Sequence, residues 1–186
     1  MIYTLVLLGN PGEKYARTRH NVARILFAHI QHDIEALALD AVSLSPETTI
    51  ETFVPETYMN ESGKAVAEYL KYHEGRELVV MYDDKDLPVG TMRISFGRGD
   101  GGHNGLKSII ESLSDKDFIR IRIGIAPSDV DGKEVMAPHG EDVQGFVLGR
   151  LREDEDEMIR KVAPHVLGAI KVILSHGYQK AMEVYN

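Results

Sequence analysis

The N-terminal segment constrains the fold most strongly, because Tyr3–Leu8 is a run of apolar, β-forming residues. The sequence GNPG at residues 9–12 ends this run sharply. A strand without alternation of polar and apolar residues is covered on both faces, which is typical of the centre of a parallel sheet between helices. This segment therefore indicates an α/β fold.

The rest of the chain alternates segments with strand and helix patterns. Strands are predicted at Thr48–Val54, Leu78–Tyr82, Thr91–Phe96 and Phe118–Ala126, and helices after Thr18 and at Gly63–His73, Asn104–Leu113 and Arg152–His176. This alternation predicts a single three-layer α/β domain over residues 1–186, with a mixed twisted β-sheet flanked by helices.

Local residue types predict where these elements begin and end. Thr18 and Ser62 have side chains that cap helix N-termini. The acidic pair Asp83–Asp84 is expected to end the second buried strand. Gly177 is expected to end the last helix, and Pro164 is expected to kink it.

The net charge of −8 is unevenly distributed along the chain. Residues 129–157 hold ten acids and three bases, whereas residues 93–122 hold six bases and four acids. The locally basic middle segment can dock phosphates in a salt-dependent way, although the whole chain is acidic. The polar segment Pro127–Asp142 is predicted to be a surface loop, and its sequence assigns it no role.

The sequence lacks residues that several kinds of catalysis require. It has no Cys, which excludes disulfides, thiolate metal sites and Cys nucleophiles. It has neither a G-x-S-x-G motif nor an HExxH motif, so neither a metal nor a cofactor is predicted. No apolar run approaches the roughly 20 residues that cross a bilayer, so no membrane partner is expected.

Asn10 and His20 are the first candidates for a catalytic site. Asn10 follows the end of a buried strand, where α/β sheets place ligands. His20 lies near the start of a helix, whose dipole favours the neutral, proton-accepting imidazole. Taken alone, however, this segment is more simply interpreted as a turn-forming Asn and a surface His.

Asp83 and Asn60 occupy comparable loops at strand ends. Asp83 could accept a hydrogen bond from His20, fix its tautomer and stabilise the imidazolium. The alternative is a solvated turn, which is the preferred interpretation for the neighbouring Asp84. Asn60, taken alone, is a turn residue.

A glycine-rich loop provides the last candidates. Residues 97–102 fit the pattern G-x-G-x-x-G, but the acid that a dinucleotide site places at the end of the next strand is missing. The loop leads into His103 and Asn104 at a helix start, where backbone N–H groups can bind an anion or a carbonyl group. An ordinary Asn helix cap is the alternative.

Five long motifs occur in the order and spacing seen in bacterial-type peptidyl-tRNA hydrolases: GNPGEKYARTRHN, PETYMNESGKAV, DDKDLPVG, GGHNGLKSII and FIRIRIGIA. The segments GFVLG and GYQKAMEVYN also resemble that family. The resemblance is weakest over Pro127–Asp142. It implies a monomeric, cytoplasmic enzyme without a cofactor. Its partner is its substrate, peptidyl-tRNA, in which it cleaves the ester between the peptide carboxyl group and the terminal ribose of the tRNA.

The resemblance also implies roles for single residues. His20 is the base that activates water, and Asp83 supports it. Asn10 contacts the peptide near the ester and helps to reject unblocked aminoacyl-tRNA. Asn60 and Asn104 hold the peptide backbone and the water, and Asn104 also stabilises the oxyanion. Tyr15 and Tyr58 line the groove for the tRNA end and the peptide. His103 flanks the site, and Arg122 holds a tRNA phosphate.

Several positions depart from the family pattern. Leu7 and Ala23 stand where Gly is usual. Ser95 occupies a position where some members have a phosphate-binding Lys, so Arg93 or Arg98 could make that contact instead.

Two alternatives come from other classes of function. One is an RNA-binding protein without catalysis, because chloroplast homologues of the same fold assist intron splicing. The other is a hydrolase of small esters or amides. The presence of His20, Asp83 and the three carboxamides favours peptidyl-tRNA hydrolysis over the non-catalytic alternative.

Overall fold

A computed structural model of the chain describes residues 1–39, 48–127, 140 and 142–186. Its β-strands are β1 (Ile2–Leu7), β2 (Thr49–Phe53), β3 (Arg76–Pro88), β4 (Met92–Phe96) and β5 (Ile119–Ala126). Its α-helices are α1 (Val22–Leu39), α2 (Ser62–Lys71), α3 (Asn104–Leu113), α4 (Asp142–Leu148) and α5 (Glu153–Tyr185).

The five strands form one mixed sheet in the order β2-β1-β3-β5-β4. β1 pairs in parallel with β2 and β3, and β3 pairs in parallel with β5. The edge strand β4 runs antiparallel to β5. The carboxyl ends of four parallel strands therefore meet at one edge of the sheet, where α/β proteins carry their ligand sites.

Helices cover both faces of the sheet. On one face, Leu5 and Leu7 of β1 belong to an apolar core that includes α1 and α5. On the other face, Val6 and Leu8 belong to a second core that includes α2 and α3. This arrangement confirms the predicted three-layer α/β fold, and it explains why β1 is a continuous apolar run.

Most predicted strands and helices are present, with bounds that differ by one or two residues. The main part of the predicted loop Pro127–Asp142, residues 128–139 and 141, lies outside the described residues. Asp142 is the first residue of α4, so the prediction that the loop includes this residue is wrong. With seven residues, α4 is too short to show a clear helical period in the sequence.

Strand β3 is longer than predicted. Asp83 and Asp84 lie inside the strand, opposite Ile123 and Gly124 of β5, and both carboxylates are buried. The close approach requires Gly124, because a Cβ atom there would lie 2.0 Å from the carbonyl oxygen of Pro88. The predictions that this acidic pair ends the strand and that Asp84 lies in a solvated turn are therefore wrong.

Two predicted helix caps are absent. Thr18 precedes a 3-10 turn at Arg19–Asn21, and its hydroxyl donates to the carbonyl oxygen of Tyr15 at 2.8 Å instead of capping α1. Ser62 is the first residue of α2, and the residue before it makes no side-chain cap. In both cases a 3-10 turn precedes the α-helix and changes the position at which a cap would act.

Helix α5 continues beyond the predicted end at Gly177, where the backbone is non-helical with a φ of 83°. Pro164 lies inside the helix. The helix resumes because the segment after Gly177 packs on β4, where Tyr178 stacks on Phe96 with ring centroids 4.5 Å apart. Although α5 is 33 residues long, no helix in the described ranges has the length and apolar composition needed to cross a membrane.

Candidate active site

His20 lies in the 3-10 turn immediately before α1. Its Nδ1 atom is 2.8 Å from Oδ1 and 2.9 Å from Oδ2 of Asp83 in β3. Both residues are buried, with 7% and 3% of their surface exposed. The interpretation of His20 as a surface residue is therefore wrong, and the structure brings this imidazole and this carboxylate together.

A second imidazole contacts the same carboxylate. His103 Nε2 is 2.8 Å from Asp83 Oδ1, and the rings of His103 and His20 have centroids 5.0 Å apart. His103, not Asn104, is the N-cap of α3, and its Nδ1 accepts a hydrogen bond from the backbone N–H of Leu106 at 3.3 Å. A nitrogen that accepts a hydrogen bond carries no proton, so the neutral His103 ring donates to Asp83 through Nε2.

The carboxylate of Asp83 determines which nitrogen of His20 can act as a base. Burial by itself raises the pKa of the Asp83 carboxyl, but the imidazoles of His20 and His103 more than offset this effect, so its pKa lies well below the usual range. An ionised carboxylate only accepts hydrogen bonds, so His20 donates through Nδ1 and has its lone pair on Nε2. That tautomer is the one a general base requires.

Asn10 is held rigidly at the end of β1. Its backbone N–H and C=O pair with the carboxamide of Asn21, each at 2.9 Å. Its Oδ1 accepts from the backbone N–H of Met59 at 2.8 Å. Among the described residues no group accepts from Asn10 Nδ2, and the side chain lines a cavity, so this N–H donor is available to a ligand.

One cavity of about 620 Å³ contains most of the predicted site residues. Two predicted residues do not line it. Asn60 is exposed in the 3-10 turn Met59–Glu61, and the half-exposed Tyr58 meets Tyr15 edge-on with ring centroids 6.2 Å apart. The predicted residues that do line the cavity are His20, Asp83, Asn10, Tyr15, His103, Asn104 and Arg122.

The cavity extends from the imidazoles to a group of basic side chains. Arg122 lies there, and its Nε donates to Asp84 Oδ2 at 2.7 Å. Asp84 thus has a specific partner, and this contact orients the guanidinium of Arg122. The other basic side chains that line this end are Lys85, Arg98 and Arg120.

Ser95 also lines the basic end of the cavity. It is buried, and its hydroxyl has no hydrogen-bond partner among the described residues. Of the two residues that could replace the absent Lys at this position, Arg98 lines the cavity and Arg93 does not.

Arg120 was not recognised as a functional residue from the sequence. Its side chain is 1% exposed, and it donates to the backbone carbonyl oxygens of Gly99, at 2.5 Å, and of Arg98. Arg120 thereby anchors the glycine-rich loop that leads to His103. The available signal was the alternation of Arg and Ile in this strand, because a charged residue in a strand covered on both faces needs a buried partner.

His20, Asp83 and His103 are residue types that also bind metals, and their ligand atoms lie within 4.8 Å of one another. The nitrogen-to-oxygen distances of 2.8 Å are those of hydrogen bonds. Two ligands on a tetrahedral Zn²⁺ lie about 3.4 Å apart. In addition, His103 can offer a lone pair at Nε2 only if its proton is on Nδ1. That proton would then face the backbone N–H of Leu106, and the hydrogen bond between them would be lost. The arrangement is therefore suited to proton transfer.

Comparison with known proteins identifies the family. The family model described as peptidyl-tRNA hydrolase matches residues 4–186. Relatives named peptidyl-tRNA hydrolase from Rubrobacter xylanophilus and Thermotoga maritima are each 37% identical to the chain; the matches cover 96% and 98% of this chain and 97% and 96% of theirs. The crystal structure of peptidyl-tRNA hydrolase from Acinetobacter baumannii is 30% identical, with a TM-score of 0.77 over 100% of this chain and 94% of that one. The chain belongs to the peptidyl-tRNA hydrolase family.

Proposed function

We propose that this chain hydrolyses peptidyl-tRNA at the ester between the peptide carboxyl group and the terminal ribose, and so recycles tRNA from prematurely released peptides. The observation that carries this proposal is the contact between His20 and Asp83. It leaves an unprotonated imidazole nitrogen in a cavity that also contains carboxamide donors. Family membership supplies the substrate class.

His20 is the general base of the proposed reaction. Its Nε2 accepts a proton from a water molecule as the water oxygen attacks the ester carbonyl carbon. The Asp83 carboxylate stabilises the positive charge that develops on the ring. The imidazolium then returns the proton to the departing ribose oxygen. Because water attacks the ester directly, the reaction needs no covalent intermediate with the enzyme.

The carboxamides of Asn10 and Asn104 bind the reacting part of the substrate. Asn10 Nδ2 donates to a carbonyl oxygen of the peptide near the ester. Asn104 is the first residue of α3, where the helix dipole adds positive potential, and it lines the cavity beside His103. It is placed to stabilise the oxyanion. Asn60, which lies outside the cavity, contacts the backbone of a peptide that extends further.

The basic end of the cavity binds a tRNA phosphate. Asp84 orients the guanidinium of Arg122 through its Nε and leaves the terminal nitrogens for the phosphate. Arg98 lines the same end and compensates for Ser95, where some relatives have a Lys. Tyr15 and its edge-on partner Tyr58 extend the surface for the tRNA end and the peptide.

We further propose that residues 1–186 form one domain that acts as a monomer. We propose a cytoplasmic location, because translation releases the substrate in the cytoplasm. A non-catalytic RNA-binding role is not favoured, because the relatives are named as hydrolases and this chain has the same base and supporting carboxylate that the resemblance implies.

The experiment that tests this function measures tRNA release from an N-acetylated aminoacyl-tRNA. The wild type is compared with His20→Ala and with His32→Ala, a matched control at an exposed position of α1. We expect His32→Ala to equal the wild type. His20→Ala should lose nearly all turnover and still bind tRNA.

Each other outcome has a defined meaning. Full activity of His20→Ala would contradict its role as the base, and an inactive wild type would contradict the proposed function. A short N-acylated amino-acid ester without tRNA should turn over far more slowly. Comparable turnover of that ester would instead indicate a small-molecule hydrolase.

A further inference from the structure

We propose that the ion pair between Arg19 and Glu155 is a positioning device for the candidate active site, which holds α4 against the turn that carries His20. This inference rests on the proposed function. It gives both residues a role in substrate binding although neither contacts the substrate.

The pair is largely buried, and a single guanidinium nitrogen of Arg19 contacts both carboxylate oxygens of Glu155. Arg19 Nη2 donates to Oε1 of Glu155 at 3.0 Å and to Oε2 at 2.8 Å. The two side chains are 11% and 0% exposed. Glu155 Oε2 also accepts from the backbone N–H of Arg152 at 2.8 Å, which anchors the carboxylate in the first turn of α5. Buried ion pairs add little net stability compared with apolar residues, so the pair is better explained by the geometry that it specifies.

Arg19 also connects the turn to α4. Its guanidinium carbon lies 4.7 Å from the ring centroid of Phe146 in α4. Its backbone N–H donates to the carbonyl oxygen of Gly149, just after α4, at 3.0 Å. Because Arg19 directly precedes His20, one residue links the base, α4 and α5.

Helix α4 forms a wall of the cavity that contains His20. It has seven residues, so its internal hydrogen bonds contribute little to its stability and its contacts determine its position. Helix α5 is the fixed support, because many of its side chains belong to the apolar core on one face of the sheet. The residues of α4 that line the cavity are Val143, Gln144, Val147 and Leu148.

Loss of the ion pair should let α4 shift relative to the His20 turn, although the backbone hydrogen bond from Arg19 to Gly149 still joins the turn to the end of α4. The hydrogen bonds between His20 and Asp83 do not involve the pair and should persist. A displaced wall weakens the fit of the substrate more than it changes the proton transfer. The expected signature is therefore a raised KM with little change in kcat.

The test uses the whole chain and the N-acetylated aminoacyl-tRNA substrate. Glu155→Gln removes one charge, and the double variant Arg19→Met/Glu155→Leu replaces both partners with apolar side chains. We expect KM to rise about tenfold in both variants. The double variant should unfold only moderately below the wild-type temperature, because it leaves no unpaired buried charge but loses the acceptor for the backbone N–H of Arg152. The matched control is Asp154→Asn, which removes an exposed acid from the same helix turn and should match the wild type.

Hydrogen exchange provides a second measurement, which reports directly whether the ion pair holds α4 in place. Exchange at residues 142–148 should become faster in the double variant, while exchange in β1 and β3 stays unchanged. A wild-type KM in the double variant would overturn the proposal, as would unchanged exchange in α4. An inactive wild type would contradict the proposed function instead, and the exchange experiment would still decide whether the pair holds α4.

Discussion

His20 Nδ1 lies within hydrogen-bonding distance of both carboxylate oxygens of Asp83, at 2.8 and 2.9 Å. His103 Nε2 donates to one of these oxygens, Oδ1, at 2.8 Å. Two imidazoles therefore share one buried negative charge, which determines the tautomer of each ring. The hydrogen bond to Asp83, more than the dipole of α1, accounts for a free Nε2 on His20.

Replacing Asp83 with Asn should slow the chemical step. The variant lacks the charge that stabilises the imidazolium, so we expect kcat to fall on the order of 10²-fold or more. Steady-state kinetics with N-acetylated aminoacyl-tRNA measures this effect. Glu77→Gln, which alters an exposed acid at the other end of β3, is the control and should keep wild-type kcat. Equal losses in both variants would contradict a specific role for Asp83.

The same carboxyl predicts a pH dependence of stability. Its pKa is lower in the folded chain than in the unfolded chain, where it is about 3.9. A group of this kind stabilises the fold above its unfolded pKa, and the stabilisation is lost as the pH falls through the folded pKa. As the pH is lowered below about 4, the thermal unfolding temperature should therefore fall less steeply for Asp83→Asn than for the wild type. Parallel curves for the two proteins would argue against this shift.

The sheet and its helices could be predicted because local patterns reflect burial. The apolar run of β1 follows from helices on both of its faces. The end of β3 could not be predicted, because it depends on the approach of its backbone to Gly124 in β5. Contacts between segments distant in sequence leave no local pattern.

The site, like the fold, could be predicted only in part from the sequence. Loops at strand ends indicated that Asn10, His20 and Asp83 could meet, because parallel strands end at one edge of the sheet. The burial of His20 was not predictable, since it requires a partner 63 positions away. The buried partners of Arg19 and Arg120 were equally hidden, because an isolated Arg in a sequence is normally a surface residue.

Arg122 should contribute one phosphate contact to tRNA binding. Arg122→Gln is expected to weaken binding and to reduce the slope of log K against log salt concentration by about one unit. Binding of uncharged tRNA at several salt concentrations measures the slope. Arg160→Gln, which removes an exposed base of α5, is the control and should leave it unchanged. A wild-type slope in Arg122→Gln would exclude the contact.

Catalysis should not depend on a metal ion. The distances from Asp83 to His20 and His103 are those of hydrogen bonds, and proton transfer to His20 requires only water. We expect EDTA to leave the rate of tRNA release unchanged. Inhibition by EDTA that is reversed by adding Zn²⁺ would show that the three side chains bind a metal in the active enzyme.

Asn10 should distinguish peptidyl-tRNA from unblocked aminoacyl-tRNA. Its Oδ1 is occupied by the backbone N–H of Met59, so only the Nδ2 donor faces the substrate. A blocked amino group brings a carbonyl oxygen that accepts from this donor, whereas a free ammonium group cannot accept. Asn10→Asp retains the oxygen for Met59 and removes the donor. We therefore expect the ratio of kcat/KM between the N-acetylated and the unblocked substrate to fall about tenfold, the effect of one lost hydrogen bond. An unchanged ratio would mean that another residue recognises the blocking group.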